Sequence, residues 1–179
     1  MDLRDFFPTF GDARIQTVFC TFAYESVADL PGGICTNATA RNVWNEIASV
    51  IDPICAREAR RLYSRPHLPQ GAPTSPALAN LCSYRLDCRL IALAKSAGAA
   101  YTRYADDLAF SGGEEFEKCA ERFAVHVAAV LLEEGFTVHH RKTRVMRVMR
   151  QCVRQHLAGL ATNQGINVPR RGFDLLRPR

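Results

Sequence analysis

Lysine is scarce in this sequence, long apolar runs are missing, and the cysteines form no Cys-x-x-Cys pair. Without an apolar run of roughly 18 residues, the chain is not expected to cross a membrane. The N-terminus also lacks the basic segment followed by an apolar one that marks a secretory leader. We therefore expect a cytoplasmic protein with no membrane partner.

The seven cysteines are dispersed and odd in number, which favours reduced thiols over a disulfide framework. One set of residues could bind zinc: His139 and His140 together with Cys152 and His156, which have a Cys-x-x-x-His spacing. However, the two histidines are sequence neighbours, and no second cysteine accompanies Cys152. The spacing therefore argues against zinc.

The composition is ordinary for a globular domain, with 47% hydrophobic and 23% charged residues in 179. We expect a single domain over residues 1–179. The net charge of +5 is unevenly distributed, because residues 141–179 hold ten basic residues and one acid. Such a surface suits the phosphates of a nucleic acid, and a solvated basic tail is the alternative. The candidate nucleic-acid contacts are Arg141, Arg144, Arg170 and Arg171.

Two adjacent carboxylates, Asp106 and Asp107, interrupt an apolar stretch over residues 100–111. The flanking residues predict two short strands, with Ala105 and Asp106 in the tight turn between them. Adjacent strand residues point to opposite faces, so the acids reach one point only if the turn bends the backbone. Two such carboxylates repel unless a cation lies between them, and Mg²⁺ accepts oxygen ligands of this kind. The pair indicates a metal site, although turn chemistry alone is the alternative.

Strand and helix signals follow one another along the rest of the chain. Residues 1–8 alternate as a strand that ends at Pro8, with Asp2 and Asp5 on opposite faces, so a third acid can join the pair. Residues 9–24 predict a helix capped by Thr9 or Asp12. Residues 31–33 (PGG) predict a break in the chain.

Further helices are predicted over residues 39–51, from Thr74 or Ser75 to about Lys95, and over residues 114–134 up to Gly135. Strands at residues 136–138 and 145–146 and a hairpin around residues 163–165 complete the pattern. This order predicts an α+β fold, an antiparallel sheet backed by helices. The apolar face of the 39–51 helix is expected to comprise Val43, Trp44, Ile47 and Val50.

The prolines of residues 68–76 (LPQGAPTSP) predict an extended loop that leads into a helix. A helix N-terminus beside a glycine is a place where a phosphate or a base can approach. In isolation this is a proline-rich connection, but it precedes the paired aspartates by about thirty residues.

Taken together, four motifs resemble, in order and spacing, the palm motifs of reverse transcriptases. They are residues 2–8 (DLRDFFP), 68–76 (LPQGAPTSP), 104–107 (YADD), and 135–136 (GF) followed by 142–143 (KT). The wording QGAPTSP looks most like that of bacterial retron enzymes. Residues 159–163 (GLATN) through 168–170 (VPR) also look like the retron segment after the palm.

The resemblance implies a role for each matched position. Asp2 and Asp106 match the two metal-holding aspartates, and Asp107 matches the second acid of the paired motif. The implied cofactor is a pair of Mg²⁺ ions, and the implied reaction is RNA-directed DNA synthesis onto a primer 3′-hydroxyl.

Four further positions are implied to bind the nucleotide. Phe7 matches the aromatic residue that lies under the incoming sugar and rejects a 2′-hydroxyl group. Gln70 and Gly71 match the loop beside the nascent base pair, and Lys142 matches the basic residue near the triphosphate. The implied partners are an RNA template, a DNA primer and deoxynucleoside triphosphates. A structured non-coding RNA is a further candidate, and a retron enzyme implies a role in antiviral defence.

Against the family pattern, we expect a truncated palm, without the fingers segment before the first aspartate and without the thumb after the palm. Residues 37–41 (NATAR) and 157–159 (LAG) match retron stretches only in part. The alternatives are a catalytically weak or inactive nucleic-acid-binding or defence-complex protein, or an unrelated metal-dependent phosphotransfer or structural domain. We expect the isolated chain to extend a primer weakly or not at all, because positioning contributes much of the rate.

Overall fold

The computed structural model describes residues 1–22, 30, 32–48, 50–146, 156–157 and 160–161. These residues form the α+β arrangement of helices and antiparallel strands that the sequence predicts. No helix in the described part of the chain is long and apolar enough to span a membrane. The elements are β1 (Leu3–Arg4), α1 (Phe6–Thr9), α2 (Asp12–Phe22), α3 (Arg41–Ala48), α4 (Pro53–Tyr63), α5 (Ser75–Cys82), α6 (Tyr84–Ser96), β2 (Ala99–Tyr104), β3 (Asp107–Gly112), α7 (Glu114–Glu133), β4 (Thr137–Val138), β5 (His156–Leu157) and β6 (Leu160–Ala161).

The strands bring the N-terminus next to the β2–β3 hairpin. β2 and β3 pair antiparallel around a turn at residues 105–106, which confirms the predicted hairpin. β1 pairs antiparallel with β4, and a bridge between Asp2 and Asp107 joins it to the start of β3. β1 therefore lies between β4 and the hairpin, and Asp2 is held beside the turn.

An apolar core holds these strands against the helices. Phe6 and Phe10 contact edge to face at a centroid distance of 4.9 Å, and Phe136 packs against both rings. α6 packs on β2 and α7, and α7 packs on β3 and β4. The fully buried apolar side chains of the core include Phe10, Ile15, Leu68, Leu86, Leu90, Val127 and Leu131.

The predicted helix over residues 114–134 is confirmed as α7. Three glutamates occupy its first turn, where negative charge favours the exposed N–H groups. Gly135 ends it with a φ of 84°. The Gly135 N–H donates to the Leu132 carbonyl and the Phe136 N–H to the Leu131 carbonyl, which is the Schellman arrangement. This turn directs the chain into β4.

The predicted strand over residues 1–8 is wrong beyond Arg4. Asp5 has a φ of 51°, which turns the chain, and α1 follows directly. The Thr9 N–H and side-chain hydroxyl both donate to the Asp5 carbonyl, at 3.1 and 2.7 Å. Pro8 is tolerated because it occupies the first turn of a helix, where its missing N–H removes no bond.

The helix predicted over residues 9–24 is described as α2, which begins at Asp12, so the Thr9 cap is wrong. Asp12 is its first residue, and its side chain accepts from the Ala13 N–H at 2.9 Å. The break predicted at residues 31–33 is also wrong for the described glycines, because residues 32–35 are helical.

The helix predicted over residues 39–51 ends earlier, at Ala48 in α3. Only Trp44 of its proposed apolar face is buried, and Val50 is 84% exposed. Asp52 then caps α4 by accepting from the Ile54 and Cys55 N–H groups. The residue before a proline disfavours the helical conformation, which agrees with the extended ψ of 134° at Asp52, and Pro53 then occupies the first position of α4. α4 was not predicted.

The long helix predicted up to about Lys95 is divided at Ser83 into α5 and α6. The strand predicted at residues 145–146 is wrong, because this stretch is exposed and irregular. The hairpin predicted around residues 163–165 lies outside the described residues. β5 and β6 pair before it in the chain.

Candidate active site

The β2–β3 turn presents Asp106 toward β1. Tyr104 and Asp107 are the last paired residues of the hairpin, which leaves Ala105 and Asp106 as the turn. Ala105 has a φ of 51°. The Leu3 N–H donates to the Asp106 carbonyl at 2.9 Å. The backbone of the turn is thus tied to the strand that carries Asp2.

Asp2 and Asp107 face each other directly across this contact. The Leu3 N–H bond to Asp106 and the Leu108 N–H bond to Met1, at 2.7 Å, lie on either side of the pair. This makes the two aspartates a non-hydrogen-bonded antiparallel pair, the type with the closer backbones. Directly opposed residues share one face of the sheet, and like charges there are destabilising.

Asp2 and Asp106 also line one cavity of about 320 Å³. β1, α1, the end of α4, the loop before α5, the hairpin turn and the segment after β4 all contribute to its wall. The lining residues are Asp2, Leu3, Arg4, Asp5, Phe6, Phe7, Pro8, Tyr63, Gln70, Asp106, His139 and Lys142.

The carboxylates shape the electrostatics of this cavity. Burial raises the pKa of Asp106, and the negative charges of Asp2 and Asp107 raise it further, while Lys142 lowers it. The Lys142 Nζ lies 3.4 Å from Asp2 Oδ2 across 140 residues of sequence. The site therefore concentrates negative charge and partly neutralises it with one exposed lysine.

The donor set fits Mg²⁺, which takes one or two carboxylates and completes its shell with water and substrate phosphates. Asp2 and Asp106 supply two carboxylates to one cavity that is open to a substrate. Among the described residues, no group of three His, Cys, Asp or Glu side chains is placed so that it could hold a metal ion, so the structure does not gather Asp2, Asp106 and Asp107 as one three-carboxylate set. Asp107 is the cross-strand partner of Asp2 but is not among the residues that line the cavity.

The residues expected to bind a nucleotide lie at the same cavity. Phe7 lines it and packs edge to face on Phe6 at 5.4 Å. Gln70 also lines it, and the adjacent Gly71 has a φ of 91°, a conformation that favours glycine. The buried Ser75 hydroxyl donates to the Pro69 carbonyl at 2.6 Å and ties this loop to α5.

The predicted nucleic-acid contacts are only partly described. Arg141 and Arg144 are exposed on either side of Lys142 in the chain, whereas Arg170 and Arg171 lie outside the described residues. The zinc alternative requires Cys152, which also lies outside the described residues.

Four polar lining residues were not predicted as parts of this site: Arg4, Asp5, Tyr63 and His139, of which His139 was considered only for zinc. Arg4 pairs with Asp5 and with Glu58 of α4, which brings the end of α4 to the cavity. His139 donates its backbone N–H to the Asp2 carbonyl, and its buried Nδ1 has no hydrogen-bond partner among the described residues. The capping signal of Asp52 and Pro53 would have predicted α4, and with it Tyr63.

A second basic surface, which was not predicted from the sequence, comprises three arginines of α4 and one arginine just beyond its end. Arg57, Arg60 and Arg61 on α4 are exposed, as is Arg65 beyond its end. The acid between them, Glu58, is paired with Arg4 at 2.7 Å. The sequence contains a signal for this surface, because four arginines fall within the nine residues 57–65.

Comparison with known proteins gives a consistent result. A family model described as "Reverse transcriptase (RNA-dependent DNA polymerase)" matches residues 33–167. This match includes Gln70, Asp106 and Lys142 but begins after Asp2 and Phe7.

Curated relatives extend the comparison to the N-terminal residues. The Retron Mx65 reverse transcriptase of Myxococcus xanthus is 36% identical over 99% of this chain and 38% of its own length. The Retron Mx162 reverse transcriptase of the same organism is 35% identical over 91% of this chain and 33% of its own length. The Retron Ec86 reverse transcriptase of Escherichia coli is 32% identical over 80% of this chain and 36% of its own length. The chain thus spans about 33–38% of the length of these relatives.

Proposed function

The chain belongs to the reverse transcriptase family, and we propose that it is the catalytic palm of a retron-type RNA-directed DNA polymerase. The observation that carries this proposal is the shared cavity of Asp2 and Asp106, residues 104 positions apart in sequence, beside Lys142. Phe7 and Gln70 line the same cavity, so the residues that the family resemblance names for metal and nucleotide lie together.

Asp2 and Asp106 would hold two Mg²⁺ ions, and Asp107 would contribute charge beside them. Bound at this position, the ions would activate a primer 3′-hydroxyl and stabilise the leaving oxygen of a triphosphate. The concentration of negative charge supports this assignment, because burial and then the charges of Asp2 and Asp107 raise the pKa of Asp106, and a bound cation would offset both effects.

Lys142 and Phe7 would orient the nucleotide. The Lys142 side chain is 61% exposed and holds Asp2 through one contact of 3.4 Å, so it is free to turn to an incoming phosphate. Phe7 would lie under the sugar and exclude a 2′-hydroxyl group. Gln70, held by the Ser75 anchor of its loop, would contact the nascent base pair.

The template, the primer and any structured RNA would run over two basic surfaces. Arg141 and Arg144 lie on either side of the lining residue Lys142 in the chain, and the arginines of α4 belong to the helix that ends at the lining residue Tyr63. Exposed arginines of this kind suit backbone phosphates, which carry no sequence information.

The test is a chimera in which this chain replaces the 178 aligned residues of the Myxococcus xanthus Retron Mx65 reverse transcriptase. The chimera should extend a DNA primer on an RNA template. Asp106→Asn should abolish extension and leave template binding largely intact, because it removes a metal ligand and no phosphate contact. Phe7→Ala should admit ribonucleotides.

Glu121→Gln is the matched control, because it neutralises an exposed acid of α7 away from the cavity. It should leave extension unchanged. Full extension by the Asp106→Asn chimera would refute the catalytic assignment. A chimera that binds template but extends nothing, with or without the substitution, would favour a nucleic-acid-binding or defence-complex role instead.

A further inference from the structure

Arg103 is an almost buried charge one residue before the hairpin closes. Its side chain is 7% exposed, although it belongs to a residue type that is rarely buried without partners. A guanidinium at such a position requires hydrogen bonds for its donors. Where those donors point therefore indicates what the residue does.

One edge of the guanidinium is fixed by Asp87 of α6. The Arg103 Nε donates to Asp87 Oδ1 at 2.8 Å, and Nη2 donates to Oδ2 at 2.6 Å. The Tyr101 hydroxyl donates to the same Oδ1 at 2.7 Å. This two-bond geometry fixes the guanidinium plane, which a lysine ammonium cannot reproduce.

The remaining nitrogen points at the turn. Arg103 Nη1 donates to the Ala105 carbonyl at 3.2 Å and to Asn80 Oδ1 of α5 at 3.0 Å. The guanidinium also lies 5.8 Å from the centre of the Phe6 ring in α1. One side chain thus connects α1, α5 and α6 to the peptide that joins Ala105 to Asp106.

That peptide is in an unusual conformation. Ala105 has a φ of 51°, and a non-glycine residue stays in the left-handed region only where its surroundings hold it there. Its carbonyl precedes Asp106, so the orientation of this peptide sets where the Asp106 backbone lies. The Asp106 carbonyl, in turn, receives the Leu3 N–H from the strand that carries Asp2.

We propose that Arg103 is a positioning residue: it clamps the Ala105 peptide and thereby holds Asp106 beside Asp2. The proposal rests on the proposed function, because the position of Asp106 matters for metal binding. It goes beyond that function by assigning the geometry of the site to a residue that does not line the cavity.

The competing explanation is that Arg103 only stabilises the fold through its ion pair with Asp87. Two variants and one control separate these explanations. Arg103→Lys keeps the charge beside Asp87 but cannot also reach the Ala105 carbonyl in the same geometry. Arg103→Ala removes both contacts. Arg89→Ala is the control. Arg89 lies on α6, the helix that also carries Asp87, and it pairs with Glu133 and Glu134 away from the turn.

The first measurement is hydrogen exchange of the Leu3 amide in the chain, followed by NMR. This amide bonds to the Asp106 carbonyl and so reports directly on the turn. We expect both Arg103 variants to speed its exchange by about fivefold or more, the scale of one lost hydrogen bond. Arg89→Ala should leave the Leu3 amide at the rate of the unsubstituted chain.

The second measurement is Mn²⁺ affinity of the same proteins, with Mn²⁺ as the probe and Asp106→Asn as the reference for loss of the site. Residues that orient ligands typically change metal affinity by about 10–100-fold, so Arg103→Lys should weaken binding by about tenfold. Arg89→Ala should not weaken it.

Unchanged Leu3 exchange in both Arg103 variants would overturn the proposal. So would an equal effect of Arg89→Ala, because the cause would then be general loss of stability. If the unsubstituted chain binds no Mn²⁺, the metal part of the proposed function fails, and the exchange measurement still decides whether Arg103 holds the turn.

Discussion

At the residue scale, the candidate site places carboxylates of like charge close together. Asp106 is partly buried near two other carboxylates, and Asp2 faces Asp107 across a close strand pair. Lys142 offsets this charge through one exposed contact. Such an arrangement destabilises a fold unless a cation or a ligand phosphate enters, and sites that bind or catalyse often show this conflict.

The first prediction is that Asp106→Asn stabilises the metal-free chain at neutral pH. The pKa of Asp106 is raised in the folded state, so its ionised form is less favourable there than in the unfolded chain. Stability is therefore lost as the pH rises from about the ordinary value of 3.8 through the raised pKa. Removing the charge should raise Tm by roughly 1–3 °C at pH 7, since about 1 kcal/mol corresponds to roughly 2–4 °C in a domain of this size.

The pH dependence distinguishes this cause from others. The difference in Tm between Asp106→Asn and the unsubstituted chain should shrink as the pH falls through the raised pKa of Asp106 and past the ordinary value of 3.8, because below that value the carboxyl is neutral in both the folded and the unfolded chain. Glu121→Gln, at an exposed position on α7, should change Tm little at either pH. Thermal unfolding followed by circular dichroism measures both, and a pH-independent gain would contradict the electrostatic account.

At the element scale, the loop before α5 is held by an interior anchor. The Ser75 side chain is fully buried and donates to Pro69, the residue before Gln70. Gly71 then takes its positive φ, and the chain enters α5 through Pro76 in its first turn. The position of Gln70 at the cavity therefore depends on a contact that lies outside the cavity.

The second prediction concerns this anchor. Ser75→Ala should destabilise the chain by about 1 kcal/mol, because it leaves the Pro69 carbonyl without its partner. In a domain of this size the loss corresponds to a Tm lower by roughly 2–4 °C. In the chimera, it should weaken nucleotide binding more than it changes the rate at saturating nucleotide, since it loosens Gln70 and no metal ligand.

Ser96→Ala is the matched control. Ser96 also donates to a backbone carbonyl, that of Leu93 at 2.8 Å, but from an exposed position at the end of α6. Loss of this hydrogen bond should lower the free energy of unfolding by no more than about 0.5 kcal/mol. Equal effects of the two substitutions would show that the buried anchor contributes nothing beyond an ordinary surface hydrogen bond.

Local sequence signals predicted the elements whose ends are marked by a clear capping or turn residue. α7 ends at Gly135 as predicted, and the hairpin closes at Ala105 and Asp106. Residues 1–8 were misassigned because alternation of apolar and polar residues does not show that Asp5 turns the chain. Pro8 was read as the end of a strand, although proline is equally suited to the first turn of a helix.

At the scale of the whole molecule, a cavity lined by acids is accompanied by two basic surfaces, the exposed arginines of α4 and those on either side of Lys142 in the chain. On the proposed function, a nucleic acid would be held by its phosphates on these two surfaces while its reacting end lies at the acids. Binding and chemistry would depend on different residues.

The third prediction is that these surfaces bind nucleic acid with a steep salt dependence. Affinity for single-stranded RNA should fall with a log–log slope of about −0.7 for each phosphate neutralised. Replacing Arg57, Arg60 and Arg61 by glutamine should make the slope less steep and weaken binding across sequences. The Arg141→Gln, Arg144→Gln pair should do the same. A fluorescence anisotropy titration at several salt concentrations measures both slopes.

Arg122→Gln on α7 is the control for charge alone, because it is exposed and far along the chain from both surfaces. Its slope should equal that of the unsubstituted chain. If all these variants lose affinity in proportion to net charge only, the arginines of α4 are not a specific contact surface.

The resemblance in sequence named Asp2, Phe7, Gln70, Asp106 and Lys142, which line the cavity, as well as Gly71 and Asp107, which are not among the lining residues. Asp2 and Lys142 contact each other across the β1–β4 pair, a long-range contact that no local pattern contains. The role of Arg103 was likewise invisible, because its partner Asp87 is sixteen residues away on a different element. Tertiary packing, not local propensity, brings these groups together.

The central claim is that Asp2 and Asp106 together form a metal site, and paramagnetic broadening by Mn²⁺ tests it most directly. In NMR spectra of the chain at low Mn²⁺ concentration, the amide signals of Asp2, Asp106 and Asp107 should broaden first. Asp106→Asn should abolish that broadening, and excess Mg²⁺ should reverse it in the unsubstituted chain. Broadening that begins instead at the surface glutamates of α7, or that persists in Asp106→Asn, would contradict the account.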